Sequence, residues 1–273
     1  MHDWQFLLAL AAAMAATGLV SGVLAGLLGV GGGIVIVPVL FYVLPLFEVP
    51  EATQMKVAVA TSLATIIPTS IISARKHHAK GAMDVALLRS MAPAMFLGVL
   101  LGTALAVVLK GPGLTLVFAL VALLVAVNMG FTGVDFRLRD SVPGGAARQG
   151  IAGSIGAVSA MMGIGGGTVG VPVLSMFGAP IRQAVATCSA FGLIISVPAT
   201  IGFVLAGIGA EGRPPFSLGW VNLVGFALIV PSSIIATPWG VKLAHSIPPL
   251  LLKRAFALFL AITSSRMLYT LLT

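Results

Sequence analysis

Apolar residues run through this chain in long blocks separated by short polar turns, and two of the blocks are interrupted by glycines at the same relative place. The first block, residues 5–28, is continuous and long enough for a helix to cross the roughly 30 Å of hydrocarbon in a bilayer. It ends at Gly29-Val30-Gly31-Gly32-Gly33. Residues 34–47 then form a limb too short to span unaided, in which Pro38 argues against one unbroken regular helix. Past a polar stretch from Glu48 to Lys56 come three spans, residues 57–74, 85–109 and 114–131. The second series opens with residues 149–162, breaks at Gly163-Ile164-Gly165-Gly166-Gly167 and resumes as a short limb over residues 168–177. Spans at residues 183–209, 217–241 and 250–272 complete it. The pattern predicts an all-α polytopic membrane protein.

The two breaks are copies. Laid over each other, residues 29–40 and 163–174 agree at nine of twelve positions, including four glycines and the proline. Each copy is followed by a matching helix start, Ala58-Val59-Ala60-Thr61-Ser62 in the first half and Ala184-Val185-Ala186-Thr187-Cys188 in the second. One transmembrane domain over residues 1–273 is expected, made of repeats at 1–131 and 149–273 joined by a cytoplasmic linker at 132–148. In each repeat a glycine-rich broken-helix hairpin precedes three transmembrane helices, with Gly29, Pro38, Gly163 and Pro172 as structural hinges. A repeated apolar half with its helix broken at one place points to a transporter binding site at the repeat interface.

Composition closes off other classes. Hydrophobic residues make up 59% of the 273 positions and charged residues 8%, against about 25% charged in soluble domains. A water-soluble fold is excluded. The net charge of +8, from 15 basic and 7 acidic side chains, would suggest nucleic acid in a soluble protein. Here it reflects Lys and Arg kept in cytoplasmic loops, and no basic, aromatic-interleaved surface for nucleic acid is present. The loops richest in these residues, 75–80, 137–148 and 242–254, are assigned to the cytoplasm. The spans then alternate if each glycine-broken segment enters and leaves on one side. The hairpins open to opposite faces, which makes the repeats inverted. The expected location is the cell (inner) membrane, multi-pass, with both termini outside.

The single cysteine, Cys188, allows no intramolecular disulfide and leaves no metal cluster to consider. No cofactor is expected. His77 and His78 read as solvated loop residues, and Asn128 and Asn222 as interhelical hydrogen-bond partners within spans. No carboxylate lies deep in a span, so the route of a coupling ion, proton or sodium, is not marked. No nucleotide loop of the Walker type occurs. No histidine pairs with a carboxylate at helical spacing, which argues against an intramembrane enzyme.

A broken helix leaves backbone N–H groups without carbonyl partners, and its N-terminus carries partial positive charge that favours an anion. Gly31, Gly32 and Gly33, with Gly165, Gly166 and Gly167, are therefore candidate substrate ligands near the membrane midplane. Thr61, Ser62, Thr168, Thr187 and Ser189 add hydroxyls, and Cys188 stands where the first repeat has Ser62. The competing reading is helix packing, for which small residues such as Gly22 and Gly26 have the spacing. For the hydroxyls it is bonding to the preceding turn. Lys56 and Arg182 fall on each other in the alignment, as an anion vestibule on each face or as cations snorkelling to headgroups.

Two copies of Gly-Val/Ile-Gly-Gly-Gly followed by Val-Pro-Val-Leu, each trailed by Ala-Val-Ala-Thr-Ser/Cys, resemble the TauE/SafE sulfite exporter family of permeases. The resemblance covers both halves. It implies a permease and, as a substrate class, sulfite, thiosulfate or an organosulfonate moved by alternating access. An anion channel, or a permease for another small anion such as a carboxylate, shares every feature named so far. The implied partners are a small anionic substrate, the lipid bilayer and a coupling ion.

Overall fold

In the computed structural model, residues 4–29, 31–131, 138–244 and 249–272 are described. The chain forms α1 (Trp4–Leu28), α2 (Gly33–Val43), α3 (Glu51–Ala79), α4 (Val85–Val108) and α5 (Gly111–Phe131). There follow α6 (Gly145–Met162), α7 (Gly167–Met176), α8 (Ile181–Gly207), α9 (Leu223–Leu243) and α10 (Pro249–Leu272). A two-residue antiparallel hairpin, β1 (Ser217–Leu218) and β2 (Val221–Asn222), precedes α9. Six helices among the described residues (in α1, α3, α4, α5, α8 and α9) are long and apolar enough to cross a membrane. The protein is a polytopic helical membrane protein.

Local chemistry sets the helix starts. Pro50 and Pro180 occupy the N-cap positions of α3 and α8, where proline's missing N–H costs nothing. Asp84 caps α4 by accepting from Leu87 N at 2.8 Å, and Asn222 caps α9 by accepting from Gly225 N at 2.7 Å. Asn222 is therefore a cap at a span's edge, not the mid-span partner expected from sequence. Pro38 and Pro172 lie inside α2 and α7 without ending them. The first limb instead tightens into a 3-10 turn over Leu44–Phe47, with Pro45 as its second residue.

Four further boundaries differ from expectation. The polar stretch after Glu48 is already helical from Glu51, and α3 continues to Ala79, so Arg75, Lys76, His77 and His78 belong to a helix rather than a loop. α6 starts at Gly145, inside the expected linker, and α9 starts only at Leu223 because residues 217–222 pair as a hairpin. Arg137, His245 and residues 246–248 lie outside the described residues.

α3 is the centre of the molecule. Its apolar window is 72% buried, against 33–44% for the other spans. It packs along α8, and the remaining helices pair around this core: α1 with α9, α4 with α6, and α5 with α10. Two of these pairs are glycine-mediated. A side chain at Gly22 or Gly26 of α1 would run into the Ser233 or Thr237 carbonyl of α9, and one at Gly98 or Gly102 of α4 into the Gly153 or Ala157 carbonyl of α6. Close backbone approach of this kind is how helices associate where lipid supplies no hydrophobic drive. Ser21 and Ser233, 3.0 Å apart, add a hydroxyl pair across the α1–α9 seam.

Replacing Gly22 or Gly102 by Val is expected to abolish folded protein, measured as monodisperse yield in detergent. Gly150→Ala, in α6 with nothing near a new side chain, should stabilise by about 0.5–1 kcal/mol through helix propensity.

Candidate functional site: two glycine breaks in contact

Both long-to-short helix transitions turn on a left-handed glycine. Gly29 follows α1 with φ +64°, and Gly163 caps α6 with φ +67°. At the α6 end the chain closes in a Schellman arrangement: Ile164 N donates to Ser159 O at 3.1 Å and Gly163 N to Ala160 O at 3.4 Å. At the α1 end, side chains of α3 supply donors. Ser73 Oγ reaches Ala25 O at 3.3 Å, and His77 Nε2 donates to Gly26 O at 3.1 Å. These carbonyls belong to the last turn of α1, which has no helical amide left for them. His77 is therefore buried, 3% exposed, and not the solvated loop residue expected from sequence.

The two breaks touch. Ser62 Oγ, on α3, donates to Gly163 O at 2.7 Å and lies 3.5 Å from Gly33 O. A side chain on Gly33 would run into the Gly163 carbonyl, and one on Gly31 would stand 3.4 Å from Gly165 Cα. Thr69 Oγ1, bonded within its helix to Ile66 O at 3.0 Å, is 3.4 Å from Gly31 O. Residues 31–38 and 162–168 are all buried. The start of α2 thus abuts the C-cap of α6, and the two breaks meet at Gly31 and Gly165 between α3 and α8.

The candidate residues divide by what they touch. Gly32 has φ +78°, and a side chain there would lie 2.5 Å from Ser21 O, so the backbone itself requires glycine. Gly166 faces the Phe191 side chain, and Cys188 Sγ packs toward Gly170. Gly167 opens α7, and Thr168 follows it. Ser189 Oγ bonds back to Ala186 O at 2.6 Å, the intrahelical alternative. Thr61 and Thr187, matched in sequence, make matched contacts: Asn222 N donates to Thr61 Oγ1 at 2.9 Å, and Asp84 N donates to Thr187 Oγ1 at 3.0 Å. Gln183 Nε2 adds a bond to Asp84 Oδ2 at 3.3 Å.

Lys56 and Arg182 are not equivalent in space. Lys56 Nζ donates to Val107 O at 2.7 Å and lies 5.7 Å from the Trp220 ring centroid. It neutralises the negative end of α4 and makes a cation–π contact. Arg182 is exposed. An apolar cavity of about 270 Å³, lined by Leu10, Met14, Leu40, Phe47, Phe216 and Asn222 among others, lies beside the C-terminal part of α2, away from the breaks. Among the described residues no cluster of His, Cys, Asp and Glu is suited to a metal.

Sequence reasoning did not pick out Ser73, His77 and Asp84. The signal for the first two was present: Thr65, Thr69, Ser73 and His77 recur every fourth residue, one polar stripe on one face of α3. Asp84 precedes a span at N-cap spacing, but its contact to Thr187 spans 103 residues.

The profile of the sulfite exporter TauE/SafE family matches residues 14–267. A probable membrane transporter protein of Haemophilus influenzae is 33% identical over 252 residues, covering 92% of this chain and 95% of that protein. A second probable membrane transporter protein, from Methanocaldococcus jannaschii, is 27% identical over 257 residues, covering 90% and 91%. No solved structure matches the chain.

Ser62→Ala leaves the buried Gly163 carbonyl without its donor and is expected to cost about 1–3 kcal/mol. Thermal unfolding in detergent measures it, with exposed Ser154→Ala as the unchanged control. Lys56→Met is expected to lower the unfolding temperature by freeing Val107 O, whereas Arg182→Met leaves it unchanged. Equal behaviour of the two would return Lys56 to a purely electrostatic role.

Proposed function

As the chain belongs to the sulfite exporter TauE/SafE family, we propose that it is a secondary permease moving a small sulfur-containing anion, such as sulfite, thiosulfate or an organosulfonate, by alternating access. That it is a multi-pass membrane transporter follows from the family and its relatives. The observation carrying the finer reading is the abutment of the two glycine breaks through Ser62 and Gly163. Each buried break opens a short helix, whose N-terminus offers partial positive charge and close backbone approach without a full cation, which suits an anion that must also leave. Irregular backbone at membrane depth is tolerated only inside protein or against a cavity.

The inverted relation of the repeats is supported by matched packing. α1 lies on α9 as α6 lies on α4, α2 on α3 as α7 on α8, and α3 and α8 pair with each other. The contacts Thr61–Asn222 and Thr187–Asp84 are related in the same way, each joining one half's third helix to the cap of a helix in the other half. In an alternating-access cycle they are latches at opposite ends of the α3–α8 core, one released on each face. The inner membrane, with both termini outside, is the location that the charged loops favour. A proton or sodium gradient is the drive in this scheme.

Reconstituted protein is expected to take up labelled sulfite, thiosulfate or an alkanesulfonate saturably, with counterflow from preloaded vesicles. Unsaturating conductance instead would make it a channel. Uptake of carboxylates alone would move it to another anion class. Thr61→Val and Thr187→Val should each slow transport, with solvent-accessible cysteine labelling shifted toward opposite faces.

A further inference from the structure

We propose that Lys56 and Trp220 form an entry station for the substrate anion, at the end of the α3–α8 core against which β2 packs. This rests on the anion-permease reading above and names the first groups that meet the substrate.

The observation is an unanswered N–H beside a cation. Among the described residues, eight buried side-chain polar atoms have no hydrogen-bond partner, and seven of them are hydroxyls. A hydroxyl turns and can donate or accept, so its isolation does not fix the sign of a ligand. The eighth is Trp220 Nε1, a donor only, held in a rigid ring on a residue 6% exposed. A buried N–H without an acceptor costs about 1–3 kcal/mol, and such a group calls for an explanation. A ligand that brings an acceptor supplies one.

Lys56 is the charge beside it. Its half-buried ammonium lies 5.7 Å from the centroid of the Trp220 ring. It carries three hydrogens and gives one to Val107 O at 2.7 Å. Among the described residues it makes no ion pair. Nε1 belongs to the same ring, and an anion with several oxygens, each accepting at about 2.7–2.9 Å, is wide enough to meet both donors. Tyr42 and Arg266 make a comparable contact, 5.4 Å from ring centroid to guanidinium carbon. There, however, the cation is exposed and the unpartnered atom is a hydroxyl.

The fold holds this pair in place. Trp220 N donates to Phe203 O of α8 at 3.4 Å, and Gly207 and Gly219 let the hairpin turn close onto that helix. Two residues on, Asn222 N donates to Thr61 Oγ1 at 2.9 Å. An anion at Trp220 therefore adjoins one of the two latches. The other half lacks the arrangement, since the aligned Arg182 is exposed and neither cation–aromatic contact includes it. A cation and a donor-only N–H together repel cations and suit an acceptor-only group. Sulfite, thiosulfate and sulfonates all present one.

The test uses full-length protein in vesicles, with Trp4→Phe and Trp239→Phe leaving Trp220 as the one indole of the three. Indole emission is titrated with sulfite, methanesulfonate and acetate, and the uptake of each is measured against concentration. Expected is a saturable emission change with the transported anion, lost in Lys56→Met and kept in Lys56→Arg. Trp220→Phe, which keeps an aromatic ring and deletes the N–H, should raise KM about tenfold with the maximal rate near the parent's. Parent-like KM in Trp220→Phe, or emission indifferent to an anion the protein carries, overturns the station and leaves the permease reading standing. An emission change that survives Lys56→Met overturns it too, by separating the indole from the cation. Uptake of acetate alone, with the same dependence on both side chains, upholds the station and removes the sulfur-anion reading. Neither uptake nor emission change with any of the three overturns both.

Discussion

A helix broken inside a bilayer leaves carbonyls and amides that water cannot reach, and much of this molecule is arranged around answering them. The end of α1 exposes its last carbonyls in the core of the protein. α3 answers with Ser73 and His77, and Ser62 on the same helix answers Gly163 at the other break. α6 closes on itself through Gly163 and Ile164. α3 is the most enclosed span because it must lie against both breaks at once.

That requirement explains why α3 carries polar residues that a lipid-facing helix would exclude. Its stripe of Thr65, Thr69, Ser73 and His77 faces backbone rather than lipid. The matching positions of α8, four residues apart from Phe191 to Phe203, are Phe191, Ile195, Ala199 and Phe203. The two central helices are alike in their N-terminal Ala-Val-Ala-Thr starts and unlike beyond them. Similar starts give the matched Thr61 and Thr187 contacts. Unlike continuations give one half a polar seam and the other an apolar one.

Much of the architecture was legible in the chain because bilayer length and helix breaking act locally. The long apolar blocks, the two limbs and the coincident glycines all became helices and breaks near their expected places. Helix ends were less legible where tertiary partners decide them. α3 runs on through Arg75 to Ala79 because α1 supplies a carbonyl for His77, a contact 51 residues distant. Asn222 is a cap because the preceding residues pair as a hairpin. Lys56 and Arg182 align in sequence but diverge in space, since only Lys56 has Val107 and Trp220 within reach. The glycines singled out in the sequence are held for reasons that differ by position: backbone geometry at Gly32, contact between the breaks at Gly33, side-chain packing at Gly166.

The pairing of α1 with α9 bears on how the protein is made. Ser21 and Ser233, which meet across that seam, are 212 residues apart. At ~5–20 residues per second a ribosome needs roughly 10–40 s to bridge that distance. Throughout that interval the small-residue face of α1 lacks its mate and must rest against lipid or the insertion machinery. α1 is thus completed only after α9 has been made. A nascent chain truncated before α9 would present Gly18, Gly22 and Gly26 uncovered, a surface that membrane quality control can read as unfinished.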